Sequence, residues 1–156
     1  MKNIFYYETK IGKIGISEEN NYITDLFFGI QALSCEKYTV KETKIIKDAN
    51  KQLSEYLNGD RKKFDLPLHP SGSEFSKQVW SELCKIPYGE TRTYLELANT
   101  INRPKSYRAV GLANSKNPIS IFIPCHRLIG SNGSLRGYLG GIKTKDYLLK
   151  LESENK

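Results

Sequence analysis

Hydrophobic and polar positions alternate in the first third of the chain, then shift to a helical spacing. Asn3–Tyr7, Lys13–Ser17 and Tyr22–Phe28 are short, rich in Ile, Tyr and Phe, and separated by Gly12 and the Asn20-Asn21 pair. This pattern predicts a small antiparallel meander. Ile45, Ala49, Leu53, Tyr56 and Leu57 recur at helical spacing, so residues 42–57 are expected to form an amphipathic helix stopping near Gly59. Residues 65–73 carry two prolines and read as a linker, which sets an expected domain boundary between 1–70 and 71–156.

Beyond the boundary, Ser73 is placed to cap a helix over Phe75–Lys85 with Phe75, Val79 and Leu83 inward. Pro87-Tyr88-Gly89-Glu90 is a turn. Tyr94, Leu97, Ala98 and Ile101 predict a short helix, Tyr94–Asn102, which Pro104 must break. A second short helix, Ser106–Asn114, follows, and the pair has the pattern of a helix-turn-helix. Its small residues Ala109, Gly111 and Ala113 suit either close approach to a nucleic-acid groove or close packing of two helices. Ile119–Ile123 reads as a buried strand running into Pro124-Cys125-His126-Arg127. Residues 130–141 hold five glycines and read as a loose segment before a last helix, Lys143–Glu152, with Tyr147, Leu148 and Leu151 inward.

Charge sharpens this division. The net charge is +7; residues 1–71 hold 11 basic and 10 acidic side chains, whereas residues 72–156 hold 13 and 7. The excess in the second half fits a polyanion partner, with nucleic acid first, or a solvated surface that maintains solubility. No apolar run approaches the roughly 18–20 residues of a membrane span, and Glu8 ends the N-terminal apolar stretch too early for a signal peptide. Cys35, Cys84 and Cys125 form no disulfide pattern, so a reducing, cytoplasmic compartment is expected. Two histidines, His69 and His126, and no paired cysteines make a structural zinc site improbable.

Cys125 carries the candidate chemistry. A thiolate is a strong nucleophile when a base or cation stands beside it, and His126 and Arg127 follow directly. Cys84 reads as a small core residue. On a strand, Cys125 and His126 would point to opposite faces, so the backbone must bend at Pro124 or a water must link the two. A third group should orient the imidazole, and Glu152 is one of several carboxylates available.

Ile123-Pro124-Cys125-His126-Arg127-Leu128-Ile129-Gly130 resembles the active-site motif of the O6-alkylguanine-DNA alkyltransferases, the methylated-DNA–protein-cysteine S-methyltransferases. Pro87–Thr91 with Thr93-Tyr94, Arg108–Gly111 with Ala113-Asn114, Asn117–Ile119, Gly137–Gly141 and Leu148-Leu149 with Glu152 extend the likeness collinearly over residues 74–152. Over residues 1–70 it is general. The resemblance implies an α+β protein: a small N-terminal α/β, ribonuclease H-like domain, then a mainly helical winged helix-turn-helix domain.

It further implies repair by direct reversal in one turnover. Cys125 takes the alkyl group from O6 of a flipped guanine, with O4-methylthymine a second substrate. His126 receives the thiol proton through a water and Glu152 orients it. Tyr94 protonates the leaving guanine and crowds the nucleotide's phosphate. Arg108 fills the gap in the base stack, and Asn117 stabilises the turn into the active site. Tyr94, Ala109, Gly111 and Ala113 meet the minor groove of double-stranded DNA, and Leu128, Tyr138 and Leu139 line the base pocket. No organic cofactor or metal is needed, and the protein acts as a monomer.

Two positions depart from the family pattern. Tyr107 stands where the residue is usually small, and either adds a stacking or phosphate contact or is packed. Leu139 also replaces a small residue, which would narrow the pocket. Two other classes compete: a DNA-binding module that transfers nothing, and a cysteine hydrolase built on Cys125 and His126.

Overall fold

The computed structural model describes residues 1–29, 37–135 and 138–156. Cys35 and Gly137 lie outside these. The chain divides into two compact units, Met1–Ser71 and Gly72–Lys156.

In the first unit, β1 (Lys2–Thr9), β2 (Gly12–Glu19) and β3 (Tyr22–Phe28) form the predicted meander. Asn20 and Asn21 both take positive φ, 53° and 66°, the geometry of a two-residue hairpin turn whose twist matches the strands. A further strand, β4 (Tyr38–Val40), pairs in parallel with β1, so the sheet order is β3-β2-β1-β4. Helix α1 (Lys44–Leu57) buries Ile46, Ala49, Leu53, Tyr56 and Leu57 against the sheet. Ile46 occupies the inward position expected of Ile45, which is half-buried. The expected linker is partly docked instead. Ile23 donates to Pro67 O (2.8 Å) and His69 donates back to Ile23 O (2.8 Å). Pro67 and Pro70 lack N–H groups, but the backbone between them still offers the donor and acceptor that β3 uses.

In the second unit, α2 (Glu74–Leu83) starts at Ser73, whose Oγ accepts from Ser76 N. Trp80 is buried beside Val79 and Leu83, and its Nε1 donates to Ala113 O (2.8 Å). That bond pins α2 to α4 (Tyr107–Ser115). Helix α3 (Tyr94–Thr100) opens on a capping box in which Thr93 and Glu96 exchange side chain-to-backbone bonds. The short strand β5 (Arg92–Thr93) pairs in parallel with β6 (Leu128–Ile129), holding the entry to α3 beside the exit from the Cys125 segment.

Two expectations for this unit fail. Ile119–Ile123 is buried but is not a strand. Phe122 N bonds Ser120 O and Ile123 N bonds Ile119 O, so the segment folds back on itself, with Ile121 at φ 75°. Asn117 organises this turn: its Oδ1 accepts from Ile119 N and its Nδ2 donates to Ile123 O. One side chain thus supplies bonds that a neighbouring strand would otherwise have supplied. The last helix, α5 (Ile142–Glu154), turns Lys145, Leu148 and Glu152 inward, while Tyr147 is exposed and Leu151 half-buried. Its buried stripe is polar at both ends because it faces the site rather than a purely apolar core.

Candidate active site

Pro124 has φ −79° and ψ 64°, and Cys125 N bonds Ile123 O at 2.7 Å. This is an inverse γ-turn centred on proline, whose ring already fixes φ near that value. The chain then enters a 3-10 turn, Cys125–Arg127. The bend at Pro124 removes the strand geometry that would have sent successive side chains to opposite faces. Cys125, His126 and Arg127 are all buried.

His126 and Arg127 converge on Glu152. His126 Nε2 lies 2.6 Å from Oε2. Arg127 grips the carboxylate with one edge of its guanidinium, Nε to Oε1 at 2.9 Å and Nη2 to Oε2 at 3.0 Å. Gly89 N donates to Oε1 at 3.0 Å. A carboxylate offers about four lone-pair sites, and these four donors fill them. Gly89 sits at φ 80° in the Pro87–Glu90 turn, which aims its N–H at the carboxylate. Arg127 Nη1 also donates to Ile86 O (2.7 Å), and its guanidinium lies over the Tyr88 ring.

This arrangement sets protonation. Burial pushes the Glu152 carboxyl up, but the hydrogen bonds and charges of His126 and Arg127 outweigh it and hold the group well below the usual carboxylate range. Burial lowers the basicity of His126; Glu152 opposes this, while the charges of Arg127 and Lys145 reinforce it. The ring is therefore neutral near pH 7. Since an ionised carboxylate can only accept, Nε2 carries the hydrogen and Nδ1 is the basic nitrogen. Burial pushes the Cys125 thiol up, partly offset by hydrogen bonds from Asn117 and Ser120 and by the charge of Lys145. The resting nucleophile is a protonated thiol that needs a base. The Cys125 sulfur lies 3.9 Å from Ser120 Oγ, and Asn114 Nδ2 holds the Cys125 carbonyl at 3.3 Å.

Arg127 and Lys145 complete the site without a signal of their own in the sequence. Arg127 stood in the sequence only as a basic neighbour of Cys125. Lys145, fully buried, donates to Leu128 O at 2.6 Å. Burial brings its ammonium down to about 8, and the Cys125 charge acts in the opposite direction. No sequence signal separates it from the exposed Lys143 except its spacing of seven from Glu152 on one helix face.

The remaining expected residues divide. Leu128 and Tyr138 are buried, with the Tyr138 ring edge-on to His126 at 6.5 Å. Leu139 is 64% exposed. Arg108 and Ala109 are exposed on α4, and Tyr94 is half-buried at the start of α3. Gly111 is half-buried, and a side chain there would meet the Tyr94 ring at 3.5 Å. Ala113, expected at the groove, is buried, and its main-chain carbonyl accepts the Trp80 indole hydrogen. So α4 uses Ala113 for packing and keeps Arg108 and Ala109 for solvent. Cys84, expected in the core, is exposed at the end of α2. Among the described residues, no cluster of three or more His, Cys, Asp or Glu side chains is arranged to hold a metal, and no helix is long and apolar enough to cross a membrane.

The family described as 6-O-methylguanine DNA methyltransferase, DNA binding domain, matches residues 74–154. Its companion, the ribonuclease-like domain of the same enzymes, matches residues 4–70. This chain belongs to the 6-O-methylguanine DNA methyltransferase family. The methylated-DNA–protein-cysteine methyltransferase of Methanosarcina barkeri is 47% identical over 150 residues, covering 95% of each chain. The constitutive enzyme of that name from Bacillus subtilis is 44% identical over 151 residues, covering 93% of this chain and 92% of its own. The solved structure of Mycobacterium tuberculosis OGT in complex with DNA superposes with a TM-score of 0.91 at 39% identity, covering 98% of this chain and 94% of that one. The methyltransferase fold, a ribonuclease-like domain followed by a DNA-binding domain, is the α+β, two-domain architecture expected from the sequence.

Proposed function

We propose that this methyltransferase-family chain repairs O6-alkylguanine in double-stranded DNA by moving the alkyl group onto Cys125, once per molecule. The observation that carries the reading is the buried thiol beside a neutral imidazole held by an ionised carboxylate. In this reading, His126 Nδ1 takes the thiol proton through a water. Glu152 fixes the ring and stabilises the imidazolium that forms. Lys145 favours the thiolate electrostatically. The thiolate attacks the alkyl carbon, a C–S bond forms, and the C–O6 bond breaks with its electron pair on the guanine. Tyr94 gives that guanine a proton, and the proton from His126 restores the balance. The product is a thioether without a good leaving group, so nothing regenerates the thiol. The residues present complete this balance without an organic cofactor or a metal.

A base in the stack cannot offer its O6 substituent to a buried thiol, so the nucleotide must be flipped out. Arg108, long and exposed on α4, fills the vacated space, and Ala109 lets the helix approach the minor groove. The unit that carries α4, Gly72 to Lys156, holds 13 basic and 7 acidic side chains, an excess that favours a polyanion partner. O4-methylthymine offers the same alkyl–oxygen chemistry. The protein works as a monomer in the cytoplasm, where reducing conditions keep the thiol available. Residues 1–70 and 71–156 act as its two domains.

The test is to mix the protein with a duplex containing O6-methylguanine and map the peptides by mass. One methyl group on the Cys125 peptide is expected, and none with Cys125→Ser, which should still bind DNA. Tight binding without methyl loss would favour a non-catalytic module, and turnover of an ester would favour a hydrolase.

A further inference from the structure

Tyr107 is the first residue of α4. It is not packed into the domain: 43% of it is exposed. The side chain has two neighbourhoods. On one side the Arg108 guanidinium carbon lies 5.8 Å from its ring centroid, within cation–π range. On the other, it lines a cleft of about 620 Å³ with Tyr94, Leu95, Gly130, Ser131 and Asn132.

These two contacts follow from helix geometry. Residues four apart lie one above the other, so Tyr107 stands one turn before Gly111, the residue that abuts the Tyr94 ring. Tyr107 therefore extends the Tyr94 wall outward along the cleft. Arg108, the next residue, points away from that wall unless something draws its head back. A long side chain at an exposed site samples many rotamers, and ordering it costs free energy when it inserts. An aromatic face beside the guanidinium narrows those rotamers in advance. The neighbouring cations Arg103 and Lys105 do not serve this ring: Arg103 lies over Phe75, 5.8 Å away, and Lys105 is exposed in the turn before α4.

We infer that Tyr107 is a positioning residue for the Arg108 finger: its ring, one wall of the Tyr94 cleft, limits the directions the neighbouring guanidinium takes, so that the finger is already oriented when the nucleotide leaves the stack. The inference rests on the alkyl-transfer reading above and adds a residue to it. It acts on flipping rather than on the transfer step, and so on duplex DNA rather than on a free base.

The experiment measures methyl or benzyl transfer to Cys125 on two substrates, an O6-methylguanine duplex and free O6-benzylguanine, and takes the ratio of the rates. An exposed cation–π contact corresponds to about a 2–5-fold change, so Tyr107→Ala is expected to lower the duplex-to-free-base ratio by about that factor. Tyr107→Phe keeps the ring and is expected to restore the wild-type ratio. In an Arg108→Ala background, Tyr107→Ala should leave the ratio where Arg108→Ala had put it. An unchanged ratio in Tyr107→Ala, failure of Phe to restore it, or full additivity with Arg108→Ala would overturn the inference. Absence of transfer by the wild-type protein on both substrates would instead remove the reading beneath it.

Discussion

Replacing Arg127 with methionine leaves Glu152 ionised and buried while removing two of its four donors. The structure sets the scale of the damage. Arg127 and Glu152 are 7% and 1% exposed, so water cannot take over the lost bonds. Breaking a buried pair by deleting one partner costs about 3–5 kcal/mol, whereas a surface pair is worth about 0–1. With a urea slope of about 2 kcal/mol/M, the unfolding midpoint should fall by about 2 M. Trp80 is the single tryptophan and lies in the same unit, so its fluorescence reports this transition. The companion variant Arg127→Met/Glu152→Leu removes the charge as well and should recover more than half of the loss, although it cannot transfer. A single-variant loss below about 1 kcal/mol, or no recovery in the double variant, would refute the view that Arg127 and Glu152 form a desolvated pair. The same substitution has a kinetic signature. Arg127 lowers the basicity of His126, so its removal should move the acid limb of the transfer rate to higher pH.

Stability should fall as pH drops, in two stages. His126 and Glu152 both have depressed folded values, so the unfolded chain binds the protons; the loss begins below about 6.5 with His126 and steepens below about 4.3 with Glu152. Urea midpoints between pH 8 and 3 test this, and His126→Gln should remove the first stage only. Lys145→Met withdraws a charge that favours the thiolate, so iodoacetamide labelling of Cys125, read by peptide mass, should need higher pH; a shift to lower pH would contradict it. Arg108→Ala should slow repair of a duplex more than reaction with free O6-benzylguanine, and equal losses would count against the finger role.

Much of the fold was legible because its elements are locally consistent. The Asn20-Asn21 turn, the Ser73 cap and the Pro104 break each have one physical reading, and each appears where expected. The Cys125 motif was legible as chemistry, since a thiol flanked by a histidine and an arginine is unusual outside a site. The shape of that motif was not. An apolar run such as Ile119–Ile123 signals burial without saying whether the backbone is extended or turned. Here Asn117 decides it by satisfying the backbone itself, and a side chain-to-backbone bond leaves no periodicity to read. Arg127 was hidden for the same reason. On a strand it would have pointed away from His126; on the 3-10 turn both reach one carboxylate. Lys145 gives no signal of its own, because a charged side chain on a helix usually belongs to a solvated face; Glu152 stands in the sequence as one carboxylate among several, and the 3-10 turn that brings His126 and Arg127 to it decides the choice.

The four donors that hold Glu152 come from places far apart in the chain: Gly89 is 63 residues away, Arg127 is 25 and His126 is 26. During synthesis, Cys125 and His126 therefore leave the ribosome before the group that aligns them. Until α5 docks, the imidazole has no fixed tautomer and no carboxylate to stabilise its protonated form. Closing the site with α5 ties the base that Cys125 needs to completed folding, because the carboxylate that aligns His126 arrives with that helix.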